Sequence, residues 1–251
     1  MTATGGVDRI QLDDQKPLEG VDVSFSATAP DSRAVGALID FELPDLGPVK
    51  MTASVKDRGG ILDVKTFDIR SGSGQAASFH MQGQIQRITD LKQIALQAAF
   101  KTASQPWVEK YMQQPQAYNF PLTGSIEVRG AADGLIIDKA RFGTTDGKGL
   151  ILDAQGRLTQ LSASPGFDLE LTASAPDPHL IGSMVGVSLP LQNALAVNGR
   201  LSGNTRKVVF KGETRIGKTT FTTKVNGALA GNRPRIDGKF TANIVNLEDM
   251  G

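Results

Sequence analysis

Val49-Lys50-Met51-Thr52-Ala53-Ser54-Val55-Lys56 decides the fold. Every odd position in it is apolar or small, and every even position is polar. Period-2 alternation describes a strand with one dry and one wet face, because successive side chains leave a strand on opposite sides. Phe167-Asp168-Leu169-Glu170-Leu171-Thr172-Ala173-Ser174 repeats the pattern, as does Val21-Asp22-Val23-Ser24-Phe25-Ser26-Ala27. About fourteen such runs, separated by turns containing Gly, Asn or Asp, fill most of the chain. The expected class is mainly β.

Helical spacing is confined to three short stretches, after Pro30-Asp31, Ser104-Gln105 and Pro176-Asp177. Asp31 and Asp177 suit the N-cap, and Pro106 and Pro178 suit a first helical turn. The apolar positions that follow are Val35, Leu38 and Ile39; Val108, Tyr111 and Met112; and Leu180, Ile181 and Met184. Trp107, the single Trp, is placed to anchor the second helix to the sheet.

The three starts, Ser32, Pro106 and Pro178, are 74 and 72 residues apart. The glycines of Met81-Gln82-Gly83-Gln84-Ile85, Ala154-Gln155-Gly156-Arg157-Leu158 and Val225-Asn226-Gly227-Ala228-Leu229 are 73 and 71 apart. Pro48, Pro121 and Pro190 open a third set. Even spacing of independent landmarks marks a repeat array. It predicts one elongated domain over 1–251, with units at about 30–102, 103–174 and 175–251, each one short helix followed by four strands. Residues 1–29 read as end strands of a preceding unit.

Fourteen strands at ~4.8 Å spacing and roughly 30 Å length give a dry face on the order of 2000 Å². Three ten-residue helices cover roughly 450 Å² of it. The sheet either closes as a sandwich or curls into an open trough that holds something oily. Small dry-side residues such as Ala53, Ala98, Ala173, Ala196 and Thr223 favour the trough, since a self-filling core uses bulkier side chains.

The chain has 251 residues, with 27 Lys+Arg against 26 Asp+Glu, so it lacks the basic excess of a nucleic-acid binder. Cysteine is absent, which excludes disulfides, thiolate metal sites and Cys nucleophiles. With only His80 and His179, a three-His metal site is impossible. No metal, cofactor or catalytic residue is expected: His80 falls on a wet strand face, His179 at a helix start, and no Gly-x-Ser-x-Gly elbow occurs. The small basic clusters Arg206-Lys207 and Arg233-Pro234-Arg235 read as solvated turns. No apolar run reaches the ~18 residues of a membrane helix. The N-terminus, Met1 to Gly6, has no leader pattern, and the expectation is an excised soluble piece of a larger protein.

Gly212-Glu213-Thr214-Arg215-Ile216-Gly217-Lys218-Thr219 matches the phosphate-binding P-loop letter for letter. A working P-loop opens a helix at its Lys-Thr. Here Thr220-Phe221-Thr222-Thr223-Lys224-Val225 alternates as a strand. The same slot in the earlier units, Asp68 to Gly74 and Phe142 to Gly149, reads as a Gly-rich hairpin turn. Leu135-Ile136-Ile137-Asp138, which mimics the magnesium-binding partner motif, reads as a strand.

The last unit resembles the AsmA-like family. The similar stretch is Arg215-Ile216-Gly217-Lys218-Thr219-Thr220-Phe221, then Val225-Asn226-Gly227, then Arg233-Pro234-Arg235-Ile236-Asp237-Gly238-Lys239-Phe240, and finally Asn246-Leu247-Glu248-Asp249-Met250. The likeness is clear over about 35 residues. Ile216 stands where Leu is commoner in that family, and Asn246 where Asp is commoner. The resemblance implies a long curved antiparallel sheet, the taco-like repeating β-groove, in the periplasm of Gram-negative cells. There an N-terminal helix would tether the parent protein to the inner membrane. It implies non-enzymatic transfer of phospholipid or similar lipids between the inner and outer membranes, or a part in outer-membrane assembly alongside its proteins.

Acyl chains would then lie against Val49, Met51 and Val55; Phe79 and Met81; Ile94, Leu96 and Phe100; Ile126 and Val128; Leu150 and Leu152; Leu169 and Leu171; Val197; Phe221 and Val225; and Phe240 and Ile244. The competing expectation is a closed structural module that pairs with partner proteins through its edge strands.

Overall fold

The computed structural model describes residues 2–6, 9–10, 18–33, 47–72, 77–87, 93–102, 121–145, 149–159, 165–179, 193–228 and 235–250. The class is mainly β: antiparallel strands in an open sheet, hydrogen-bonded in chain order, with almost no helix.

The chain divides into two compact units, 1–103 with 125–132, and 104–124 with 133–251. The first contains β1 (Thr2–Gly6), β2 (Arg9–Ile10), β3 (Leu18–Glu19), β4 (Asp22–Ala29), β5 (Val49–Asp57), β6 (Leu62–Gly72), β7 (Ala77–Gln86) and β8 (Gln93–Thr102). Its sheet order is β1-β4-β5-β6-β7-β8, and among the described residues β2 pairs with β3 alone. The division between units runs through β9 (Leu122–Ala131). The second contains β10 (Gly134–Thr144), β11 (Ile151–Thr159), β12 (Gly166–Ala175), β13 (Leu195–Asn204), β14 (Lys207–Ile216), β15 (Thr219–Ala228) and β16 (Arg235–Ile244), in that order, then a 3₁₀ turn over Leu247–Met250.

The alternation expected from the sequence is visible in the burial of the strands. In β4, exposed Asp22, Ser24, Ser26 and Thr28 alternate with half-buried Val23, Phe25, Ala27 and Ala29. The strand starts recur with a four-strand period. β5, β9 and β13 begin at Val49, Leu122 and Leu195, two steps of 73 residues, and β6, β10 and β14 begin at Leu62, Gly134 and Lys207, steps of 72 and 73. One backbone bond repeats with them. Gly72 N donates to Pro48 O (3.3 Å), Thr145 N to Pro121 O (2.8 Å) and Gly217 N to Ala194 O (2.9 Å). The position equivalent to Pro48 and Pro121 is therefore Ala194; Pro190 lies outside the described residues.

Ser32-Arg33 and Pro178-His179, which lie at two of the expected helix starts, have helical backbone. Asp177 Oδ1 accepts the His179 amide at 3.0 Å, the N-cap bond that supplies a partner to a first-turn N–H. The other residues of the three expected helices, Trp107 among them, lie outside the described residues.

The β5–β6 hairpin is fastened by two aspartates. Asp57 takes the Gly20 amide (3.0 Å) and the Gly60 amide (2.7 Å), beside Gly59 and Gly60 at positive φ. Asp63, fully buried, accepts the Arg87 amide (2.9 Å), the Arg58 guanidinium and Lys65 Nζ (3.3 Å). The Arg87 amide, followed by the Arg58 side chain, lowers its pKa to about 2. Holding that amide toward the carboxylate goes with a left-handed backbone at Arg87, the one non-glycine residue with positive φ among those described.

Candidate functional site: an open apolar face

Register turns the alternation into rows. Across β4 to β8 four rows run side by side: Val23-Val55-Val64-Ile85-Ile94, Phe25-Ala53-Phe67-Gly83-Leu96, Ala27-Met51-Ile69-Met81-Ala98 and Ala29-Val49-Ser71-Phe79-Phe100. In the second unit, β10 to β16 carry Leu135-Leu158-Phe167-Gly203-Val208-Gly227-Ile236 and Ile137-Gly156-Leu169-Leu201-Phe210-Val225-Gly238. Next to them lie Ala140-Ala154-Leu171-Gly199-Gly212-Thr223-Phe240 and Phe142-Leu152-Ala173-Val197-Thr214-Phe221-Ala242.

The opposite face is polar. Gln155-Glu170-Arg200-Lys211-Lys224-Lys239 forms one row, and Ser26-Thr52-Asp68-Gln82-Gln97 another. Cross-strand bonds knit it: Gln82 Nε2 to Gln97 Oε1 (3.0 Å), Gln155 Nε2 to Glu170 Oε2 (3.0 Å), and the Arg200 guanidinium to Asp168. His80 Nε2 lies 2.8 Å from Asp68 Oδ2, on the wet side as expected. Arg70, then His80, lowers the Asp68 pKa, and Arg200 lowers that of Asp168.

The apolar rows are not a filled core. Among the described residues the buried apolar side chains are few: Val21, Val49, Leu122, Ile137, Ala175 and Pro178. Most of the rest are half-buried, and within each unit the described elements pack as sheet neighbours. Two shallow depressions, of about 330 and 410 Å³, lie in the second unit. Asp153, Thr172 and Asn198 line both, with charged neighbours from the polar face such as Glu213, Arg215, Lys139 and Glu170.

Of the residues expected to meet acyl chains, Val49, Met51, Val55, Phe79, Met81, Ile94, Leu96 and Phe100 fall together on the apolar face of the first unit. Leu152, Leu169, Leu171, Val197, Phe221, Val225 and Phe240 do so in the second. Ile126 and Val128 are half-buried on β9 between exposed Ser125, Glu127 and Arg129. Leu150 precedes β11, and its carbonyl accepts the Thr144 amide (2.9 Å). Phe240 and Ile244 are 60% and 61% exposed.

Two positions expected on the dry side lie on the other one. Past an irregularity between Thr220 and Phe221, Ile244 pairs with Thr220, in the row of Ile151, Ser174, Ala196 and Arg215. Ala196 thus belongs to that row and not to the dry side. Conversely Val64, Phe67, Ile69, Leu135, Ile137, Phe142, Leu201 and Phe210 join the face although alternation did not single them out. Register shifts between Val64 and Phe67 and between Ile137 and Ala140 reverse the parity within β6 and β10. The signal was two polar residues in a row, Lys65-Thr66 and Asp138-Lys139.

The P-loop look-alike is a hairpin: β14 ends at Ile216, Gly217-Lys218 turn, and β15 starts at Thr219. A carboxylate of the chain itself occupies this turn. Asp249 accepts the Lys218 amide (2.8 Å), the Thr219 hydroxyl (2.9 Å) and Asn193 Nδ2 (3.1 Å). Burial pushes its pKa up, but the Thr219 hydroxyl and the Lys218 amide outweigh that and leave it lowered. Gly217 has φ 56°, and a Cβ there would meet Asp249 Oδ1 at 2.1 Å. An anion already held by these amides leaves no cradle for phosphate. No group of His, Asp and Glu able to hold a metal ion occurs among the described residues. No described helix is long and apolar enough to cross a membrane.

No protein-family model, curated protein or solved structure matches this chain.

Proposed function

We propose that the chain is a non-enzymatic lipid-binding protein whose apolar rows hold acyl chains. The observation that carries this reading is that most residues of these rows are half-buried rather than buried, on an open sheet, with few buried apolar side chains among the described residues. Contiguous apolar surface of this extent marks a binding surface. Each buried CH₂ contributes about 0.8 kcal/mol, so an acyl chain needs no polar recognition to bind.

In this reading the sheet curls into a long trough built of three units of about 72 residues, each with a short helix. The protein works in the periplasm, tethered to the inner membrane in its parent, and passes phospholipid or a similar lipid toward the outer membrane. No residue acts as a catalyst and no cofactor takes part. The polar face, with its own side-chain bonds, keeps the outside wet.

Organic extraction and mass spectrometry of the chain purified from a Gram-negative host test the proposal. Co-purifying phospholipid is the expected result. A folded protein that carries none, and that takes up no fluorescent fatty acid, overturns it.

The second reading, an interaction module that pairs through an edge strand, is favoured by β16, all ten residues of which are exposed.

A further inference from the structure

Charge is unevenly placed along the sequence. From Leu195 to Val245 there are ten Lys and Arg against two Asp and Glu, and the rest of the chain holds seventeen against twenty-four. In a chain that is close to neutral as a whole, such asymmetry marks one region for an anionic partner.

The strands gather these cations on one side. Register sets Arg200 of β13, Lys211 of β14, Lys224 of β15 and Lys239 of β16 side by side on the polar face, and all four are exposed. Side chains directly opposed across a strand pair stand about 5 Å apart. Arg200 is bonded to Asp168. Lys211, Lys224 and Lys239 have no carboxylate at ion-pair distance among the described residues, and neither do Lys207 and Arg215 on the same face of β14. Lys211 and Lys224 each have a strand on both sides, and what those strands set opposite them is cationic: Arg200 and Lys224 for the one, Lys211 and Lys239 for the other. Glu213, the one carboxylate on this face of β13, β14 and β15, stands opposite Asn198 and Thr222. Like charges set directly opposite each other destabilise a sheet, and anions lying against the row relieve that cost.

We infer that the polar face of β13 to β15 docks on a bilayer surface of anionic phospholipid head groups. Lysine carries a compact point charge on a flexible stem, which suits phosphates that move in the plane of a bilayer. Each such cation near an anionic surface raises affinity about fivefold. Nucleic acid is the other common polyanion, and single strands are held by aromatic side chains on which bases stack. On these strands Phe210 and Phe221 lie in the rows of the opposite, apolar face, and the lysines have Asn198, Ser202, Thr222 and Asn226 for neighbours. The inference concerns the face opposite the one proposed for acyl chains and does not depend on it.

Co-sedimentation of the 251-residue chain with vesicles at low salt tests it. Vesicles of phosphatidylcholine alone are compared with vesicles of equal parts phosphatidylcholine and phosphatidylglycerol. Uptake of lipid by an apolar face is insensitive to head-group charge, so the neutral vesicles separate it from docking. The expected result is stronger binding to the anionic vesicles, lost as salt is raised. Lys211→Gln with Lys224→Gln should weaken it by about 25-fold, about fivefold for each lysine. Lys50→Gln with Lys101→Gln removes the same charge from exposed positions of the first unit and should leave it within about twofold. Glutamine at Lys211 and Lys224 removes opposed like charges, so the melting temperature should not fall, which serves as the fold control. Equal binding to the two kinds of vesicle, an equal loss in both double variants, or tighter binding to an oligonucleotide than to the anionic vesicles overturns the inference.

Discussion

Leu96 and Gln97 are consecutive on β8 and leave it on opposite sides. Leu96 stands opposite Gly83 in the row of Phe25, Ala53 and Phe67; its Cδ2 lies 2.9 Å from where a Cβ on Gly83 would be. Gln97 is exposed and bonded to Gln82. Replacing either with Asp adds the same charge at nearly the same place, so the pair isolates the face.

Full burial of a leucine side chain is worth about 1.5–3 kcal/mol. Leu96 is half-buried already, which leaves about 1 kcal/mol for an acyl chain to add by covering it. A carboxylate under hydrocarbon without a partner costs about 2 kcal/mol more. Leu96→Asp should therefore weaken acyl-chain binding by about 3 kcal/mol, roughly 150-fold. Gln97→Asp should leave it within about threefold.

Because the chain has no cysteine, a Met81→Cys probe carrying an environment-sensitive dye reports arrival on this part of the face alone. Titration with a fatty acid in each background, with circular dichroism as the fold control, gives the two affinities. Equal affinities for the two Asp variants would refute the assignment of the binding face.

Other perturbations test the fold that supports this face. Asp63 has a folded pKa lowered to about 2 from the ordinary 3.8, so its stabilising contribution is present above about pH 4 and is lost as pH falls toward 2. Asp63→Asn should melt below the parent at pH 7, the gap closing on acidification; a gap that does not change with pH contradicts the assigned carboxylate bonds. Gly156 has φ 149°, and a Cβ there would lie 2.1 Å from Asp168 O, so Gly156→Val should cost about 3 kcal/mol and lower the melting temperature by roughly 6–12 °C; an unchanged melt would show that the backbone there is ordinary. Asp249→Ala should release the Lys218 and Thr219 turn, and hydrogen exchange at the Lys218 amide should accelerate while β12 amides keep their protection. Equal exchange in parent and variant would mean that the 3₁₀ turn does not close this hairpin.

Strand identity was legible because alternation is a local property, and Val49 to Lys56 or Phe167 to Ser174 needed no partner to be read. The hairpins were legible for the same reason, in their glycines and their even spacing. Face membership was less so. It depends on pairing, and a single shift in β6 moves Phe67 and Ile69 to the side that strict counting from Leu62 denies them. At the far edge the same physics removes Ile244, whereas Ala196 lies on the wet side by plain alternation with Leu195 and Val197. The repeated element of geometry is a carbonyl that receives an amide, which Ala194 supplies as well as Pro48 and Pro121 do.

The stretch Gly212 to Thr219 shows why backbone context outweighs the letters of a motif. Phosphate binding by such a loop needs successive amides converging at a helix start. In a hairpin most amides are used across the ladder, as those of β14 and β15 are, and the amide left over at Lys218 is taken by Asp249. The same reasoning bears on the apolar face. Its rows include Gly156, Gly199, Gly203, Gly212, Gly227 and Gly238 among larger side chains, which lowers the relief that these strands give it. On the proposed lipid-binding reading the ligand is long, flexible and apolar, and gains affinity in proportion to the length laid down. The open rows and the absence of a phosphate cradle at the hairpin thus favour the same kind of occupant.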